Sequence, residues 1–198
     1  MRTKLLSRDT MSPAMSDKLH NPLDELNRFI SLINKQDDYA LVLSLATFLE
    51  DTLGRILLAY FRDCKATREL VEGFNAPLGT FSSRIKAAYS FGLLMKEQFE
   101  DLETLRRVRN KFAHNWEGVG LEQPDIKAMI GKLHCYTMDQ KPIEGGCREK
   151  LVGSLTVCCI ELQIFLARLE SKEQPKAPDV SFRLTTNPQP VYRKQHTV

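Results

Sequence analysis

Residues 38–62 read DYALVLSLATFLEDTLGRILLAYFR, and the rest of the chain is expected to pack around this segment. Its apolar residues recur at three- and four-residue spacings, as on one side of a helix, and further apolar residues occupy the flanks. The main stripe comprises Leu41, Leu45, Phe48, Leu49, Thr52, Ile56 and Tyr60. Because a helix that is apolar on most sides is covered by its neighbours, we predict a central helix here, capped by Asp37 or Asp38.

The same helical spacing continues on both sides of this stretch. It predicts helices over 22–35, 66–72, 96–115, 124–138 and 148–171, and one more that begins after an N-cap at Thr80. Alternating runs typical of strands are nearly absent. The expected fold class is therefore all-α, a single bundle of about six to seven helices over residues 21–172. Residues 1–20 and 173–198 lack an apolar stripe and are predicted to be a disordered leader and a disordered, proline-containing tail.

Charge and cysteine usage restrict the class of protein. The net charge of +3 is carried by the two ends, which leaves 19 basic and 21 acidic residues in 22–170. Such a body lacks the basic footprint of a protein that neutralises many phosphates. The five cysteines are an odd number without CxxC spacing, and no secretory signal follows Met1. We expect a cytoplasmic protein without a membrane span, and leave the start codon open among Met1, Met11 and Met15.

Two further classes of site are disfavoured by spacing. His134 and Cys135 are separated from Cys147 by a glycine-containing loop, so we expect neither a metal site nor a cofactor. The joint before the last helix is too long for a helix-turn-helix. The joint near 34–38 is short enough, but the helix after it would have to expose leucines to the DNA groove. Direct sequence-specific DNA binding is therefore not expected.

The stretch FEDLETLRRVRNKFAH, residues 99–114, carries the main functional question. Arg109 falls within the apolar stripe of this predicted helix, and a buried unpaired charge costs several kcal/mol, roughly the effective penalty for a desolvated ion. We therefore predict a structural ion pair between Arg109 and Glu50 of the central helix, with Asp51 facing solvent.

The hexapeptide RNKFAH, residues 109–114, resembles the Arg-x4-6-His motif of the HEPN domains, small helical bundles of which many are metal-independent ribonucleases. The resemblance implies that His114 would be the general base or acid, that Arg109 would stabilise the pentacovalent phosphate and that Asn110 would orient them. In that family a dimer completes the motif. The structural alternative is that Arg109 is paired in the core and His114 satisfies carbonyls at the helix end.

A second resemblance covers more of the chain. The run FNAPLGTFSSRIKAAYSFGLL, residues 74–94, followed by the acidic segment FEDLETLRRVRNKFAH and preceded by the long helix, is similar to the mannitol operon repressor family over about residues 25–170. This resemblance implies an all-helical bacterial regulator that acts through a protein partner. We take that as the leading hypothesis, with self-association as a homodimer, and keep a HEPN-like ribonuclease or toxin that binds RNA as the alternative.

Overall fold

The computed structural model describes residues 22–114, 118–134 and 143–171. These residues form seven helices and no strand, which confirms the predicted all-α bundle. The helices are α1 (Pro22–Ile33), α2 (Asp38–Tyr60), α3 (Lys65–Val71), α4 (Phe81–Ser90), α5 (Lys96–Ala113), α6 (Pro124–Ile130) and α7 (Cys147–Glu170). The predicted leader and nearly all of the predicted tail lie outside the described residues.

Helix α2 is the centre of the bundle, as predicted, because it packs against α1, α3, α4, α5 and α7. The Asp37 carboxylate accepts a hydrogen bond from the Ala40 amide at 2.8 Å, which confirms Asp37 as the N-cap. Asp51 is exposed, also as predicted. Ten residues of α2 are buried: Leu41, Val42, Leu45, Ala46, Leu49, Thr52, Leu53, Gly54, Ile56 and Leu57.

Helix α7 is the largest partner of α2, and the two run parallel. Arg148 at the start of α7 donates to Asp38 at the start of α2 at 2.7 Å, and farther along Gln163 Nε2 donates to Thr52 Oγ1 at 3.2 Å. By length and composition α7 is the one helix of the described residues that could cross a membrane, with a hydropathy of 1.6. The core helix of a folded bundle has the same composition, and α7 packs against α1, α2 and α6.

Arg84 of α4 joins three segments of the chain. Its guanidinium donates to the carbonyls of Leu78, Glu50 and Val71 at 3.0, 2.8 and 3.1 Å. It lies over Gly54 of α2, where a Cβ atom would be 2.8 Å from Arg84 Nη1. The glycine thus makes room for an arginine whose partners are backbone carbonyls rather than a carboxylate.

Two helix boundaries test the sequence-based predictions directly. Thr80 forms a capping box with Ser83, which confirms the predicted start of α4. The prediction that the sixth helix reaches about residue 138 is wrong, because α6 ends at Ile130 and residues 131–134 are not helical. Gly131 is the C-cap of the helix. Beyond it the chain turns away from the helix axis, and the amide of His134 donates a hydrogen bond to Asp101 Oδ1 at 2.9 Å. Residues 135–142 lie outside the described residues.

Candidate functional site

The C-terminal half of α5 presents two different faces. The buried face carries Leu102, Leu105, Val108 and Phe112, and these side chains belong to the core of the bundle. The outward face carries Arg107, Asn110, Lys111 and His114, at the i, i+3, i+4 and i+7 spacing of one helix side. One helix therefore supports the core and displays a polar stripe.

This polar stripe forms one wall of an open groove. Met129 of α6 lines the other side, and the groove has a volume of about 560 Å³. Helices α5 and α6 pack against each other, which sets the position of Met129 relative to the stripe. The surface formed by Arg107, Asn110, Lys111, His114 and Met129 is called the α5–α6 groove below.

The α5–α6 groove is basic. Lys111 Nζ lies 2.9 Å from Asp125 Oδ2 of α6, and both side chains are more than half exposed. The hydrogen bond from Lys111 lowers the pKa of Asp125. Within the described part of the chain, neither Arg107 nor His114 makes an ion pair, and both are exposed. The pKa of Glu103 is lowered mainly by its hydrogen bond with Arg106, and the charge of Arg107 one turn along α5 adds to that lowering. The groove thus presents Arg107 and His114 without an ion pair to any carboxylate of the described residues.

Arg109 is exposed, so its predicted place in the buried stripe is wrong. The spacing placed it within that stripe, but the residue lies at its edge, where a long side chain reaches water. Its Nη1 donates to Asn110 Oδ1 at 3.3 Å. Five residues at 3.6 per turn separate Arg109 from His114 by about 140° around the helix axis. Accordingly His114 and Asn110 line the groove and Arg109 does not. The catalytic assignment of these three residues stays a prediction.

The predicted ion pair between Glu50 and Arg109 is not formed among the described residues. Since Arg109 reaches solvent, it needs no buried partner. Glu50 does contact an arginine of another helix, but this is Arg84, and the acceptor is the backbone carbonyl of Glu50. His114 is the C-cap of α5, and its amide donates to the carbonyl of Asn110 at 3.2 Å.

A buried carboxylate on α5 was not predicted from the sequence. Asp101 is 4% exposed, and its Oδ1 lies 2.9 Å from both the amide nitrogen and Nδ1 of His134. Burial raises the pKa of Asp101, while the hydrogen bonds from His134 oppose that rise. The available signal was an acidic residue at the spacing of the apolar stripe. The contact joins α5 to the segment after α6.

Three of the described cysteines, Cys147, Cys158 and Cys159, are buried, whereas Cys64 is partly exposed and its hydrogen bond with Thr67 lowers the pKa of its thiol. Cys158 and Cys159 are buried in α7, and burial raises the pKa of Cys159 to about 12 and that of Cys158 well above its usual range. Their thiols are therefore protonated at neutral pH. Within residues 22–114, 118–134 and 143–171, no group of three or more metal-ligating side chains comes together.

Comparison with known proteins places this bundle in a family. The family model described as "Mannitol repressor" matches residues 27–150, which is more than half of the chain. The chain belongs to the mannitol repressor family. The resemblance seen in the sequence is therefore confirmed.

Two curated members of this family are similar to the chain over part of its length. These are the mannitol operon repressors of Escherichia coli (strain K12) and Escherichia coli O6:H1 (strain CFT073), each 30% identical over 91 residues. The matched region is 44% of this chain and 47% of each relative. The chain thus spans about half the length of the curated relatives it matches.

A solved structure shares the fold. The X-ray structure of the MtlR-HPr complex from Escherichia coli superposes with a TM-score of 0.52 at 19% sequence identity. The match covers 73% of this chain and 98% of that one. At this level of identity the match shows a shared fold. The HPr partner named for that crystal structure belongs to the solved protein.

Proposed function

We propose that this protein is a transcriptional regulator of the mannitol repressor type that acts by binding another protein. The observation that carries the proposal is the family match across residues 27–150, which includes α2 to α6. The matched curated relatives are named mannitol operon repressors. We further propose that the protein is bacterial, like the matched Escherichia coli relatives, and that it works in the cytosol, which its odd number of cysteines supports.

The protein partner in this proposal is HPr. The structural neighbour of this chain was crystallised in complex with HPr, and the shared bundle supports testing the same partner here. Direct DNA readout is disfavoured because α2, which follows the short α1–α2 joint, buries ten residues in the bundle. A recognition helix has to leave its side chains free for the major groove.

Calorimetric titration of the purified protein with HPr tests the partner. We expect saturable binding with a dissociation constant in about the micromolar range that is typical of transient signalling contacts. A titration that shows no heat and no complex in size-exclusion chromatography would remove HPr from the proposal. Light scattering on the purified protein before HPr is added tests for a homodimer, which would have twice the 22.7 kDa mass of the chain.

A gel-shift assay at moderate salt separates this proposal from direct repression. We expect no sequence-specific shift with the promoter of the protein's own operon. Nanomolar binding to that promoter, with weak binding to a scrambled sequence, would contradict the partner-mediated mechanism. Deletion of the gene should raise the transcript level of a target operon in either case, so this measurement reports on repression itself.

A further inference from the structure

We propose that the α5–α6 groove is a docking site for an acidic segment of a protein partner. This inference rests on the proposed function, since it supplies a surface for a regulator that binds proteins. It goes beyond that function because it names one face of the bundle and the chemistry that the face recognises. The groove is concave, holds about 560 Å³, and combines cationic side chains with one apolar residue, Met129.

The charges of the groove are only weakly engaged by the fold, since Arg107 acts on Glu103 without forming an ion pair with it. Arg107 and His114 are exposed and make no ion pair with another described residue, and Lys111 is held only by the exposed Asp125. Exposed ion pairs contribute about 0–1 kcal/mol, so Lys111 can exchange Asp125 for a carboxylate of a partner.

The helix macrodipole gives only part of the reason for this basic stripe. Cations near a helix C-terminus are stabilising, and the effect falls off within the last turn. Lys111 lies in that last turn of α5. Arg107 precedes the end of the helix at Ala113 by more than one turn. Arg107 therefore has no capping role that would account for it.

An acidic protein segment fits the groove better than a nucleic acid does. Nucleic-acid sites present a run of cations that follows successive phosphates. Here Arg107 and Lys111 are the only Lys or Arg side chains among the five residues that line the groove, so no such run is present. A peptide can place carboxylates against Arg107 and Lys111 and an apolar side chain against Met129.

A binding assay with a defined probe tests the site. The probe is a fluorescent 15-residue peptide of glutamates interrupted by leucines, followed by anisotropy, and a single-stranded oligonucleotide of equal charge is the comparison. We expect Arg107→Glu to weaken peptide binding about tenfold, because reversal removes one charge pair and adds a repulsion. Arg107→Glu/Lys111→Gln should weaken it further.

Arg62→Glu is the matched control. Arg62 is exposed, and it follows the C-terminal end of α2. The start of α2 lies beside the groove end of α5, since the rings of Tyr39 and Phe112 are 6.2 Å apart. The length of α2, about 1.5 Å per residue, therefore separates Arg62 from the groove. We expect Arg62→Glu to bind the peptide as the wild type does.

Three outcomes would overturn the inference. The peptide fails to bind the wild type, its binding survives both groove variants, or the oligonucleotide binds the groove as tightly as the peptide does. Amide chemical-shift changes should concentrate at residues 107–114 and at Met129, which a merely unspecific attraction would not produce. HPr is titrated into the same variants as a separate measurement. HPr binding tests the proposed function and peptide binding tests the groove, so the failure of one can be told apart from the failure of the other.

Discussion

Replacing Gly54 by alanine should destabilise this protein, although alanine is the better helix former. A Cβ atom at position 54 would lie 2.8 Å from Arg84 Nη1 and 2.9 Å from Arg84 Cζ. The guanidinium is the end of a flexible side chain, so it can withdraw. To do so it must give up or stretch its hydrogen bonds to the carbonyls of Glu50, Leu78 and Val71.

The magnitude follows from two opposing terms. One lost hydrogen bond from a charged donor, with the other two weakened, costs about 2–4 kcal/mol. Alanine in place of a mid-helix glycine returns about 1 kcal/mol. We therefore expect the free energy of unfolding of Gly54→Ala to fall by about 1–3 kcal/mol, which is a drop in Tm of about 3–10 °C for a chain of this size.

Urea unfolding followed by far-UV circular dichroism measures this change. The control is Gly54→Ala in an Arg84→Met background, where no guanidinium occupies the space. There the sign should reverse, and alanine should stabilise by about 0.5–1 kcal/mol. A Gly54→Ala protein as stable as the wild type, or an equal loss in both backgrounds, would refute the role assigned to Arg84.

Three further predictions concern the core, a pair of carboxylates and the hexapeptide. Thr52→Val should lower the free energy of unfolding in urea by about 1–3 kcal/mol, because it leaves the buried amide of Gln163 without its hydrogen-bond acceptor. Thr52→Val/Gln163→Met should recover most of that loss, and a double variant no more stable than the single one would contradict this. Burial raises the pKa of Asp101, so the wild type loses stability as pH rises from the unfolded pKa of about 3.9 to the raised folded pKa. The Tm of Asp101→Asn should therefore rise relative to that of the wild type across the same pH range. Lys111 lowers the pKa of Asp125, so the ionised Asp125 contributes stability above about pH 3.9 that is lost as pH falls through the folded pKa. The Tm difference between Asp125→Asn and the wild type should therefore change with pH in the opposite direction to that of Asp101→Asn. Equal pH dependence of the two differences would contradict both assignments. Finally, His114→Ala and the wild type should leave RNA equally intact, because Arg109 lies outside the groove that His114 lines; cleavage by the wild type alone would restore the nuclease alternative.

Features fixed by neighbouring residues could be predicted from the sequence. The caps at Asp37 and Thr80 depend on a side chain and a backbone amide three residues away, so the local sequence contains both partners. The central position of α2 follows from the fact that it is apolar on most sides. The family resemblance likewise rests on a contiguous run of residues.

Features that depend on distant segments could not be predicted. Arg84 binds carbonyls of α2 and α3 and of the loop before α4, and a carbonyl leaves no mark in the sequence. The available sign of a close contact here was Gly54, a glycine in the middle of a long helix. Periodicity placed Arg109 within the buried stripe, but it could not show that this long side chain reaches solvent. The polar stripe of the α5–α6 groove has helical spacing, whereas its opposite wall, Met129, required the packing of α6.

The pairing of α2 with α7 also has a consequence for synthesis on the ribosome. The helix that packs most extensively against α2 is α7, the last of the described helices, and it ends at Glu170, whereas α2 ends at Tyr60. At 5–20 residues per second, about 5–20 s pass between the emergence of the two helices. During that interval the nascent chain presents leucines of α2 without their final cover. We expect a chain truncated before Cys147 to associate with chaperones, while the full chain releases them.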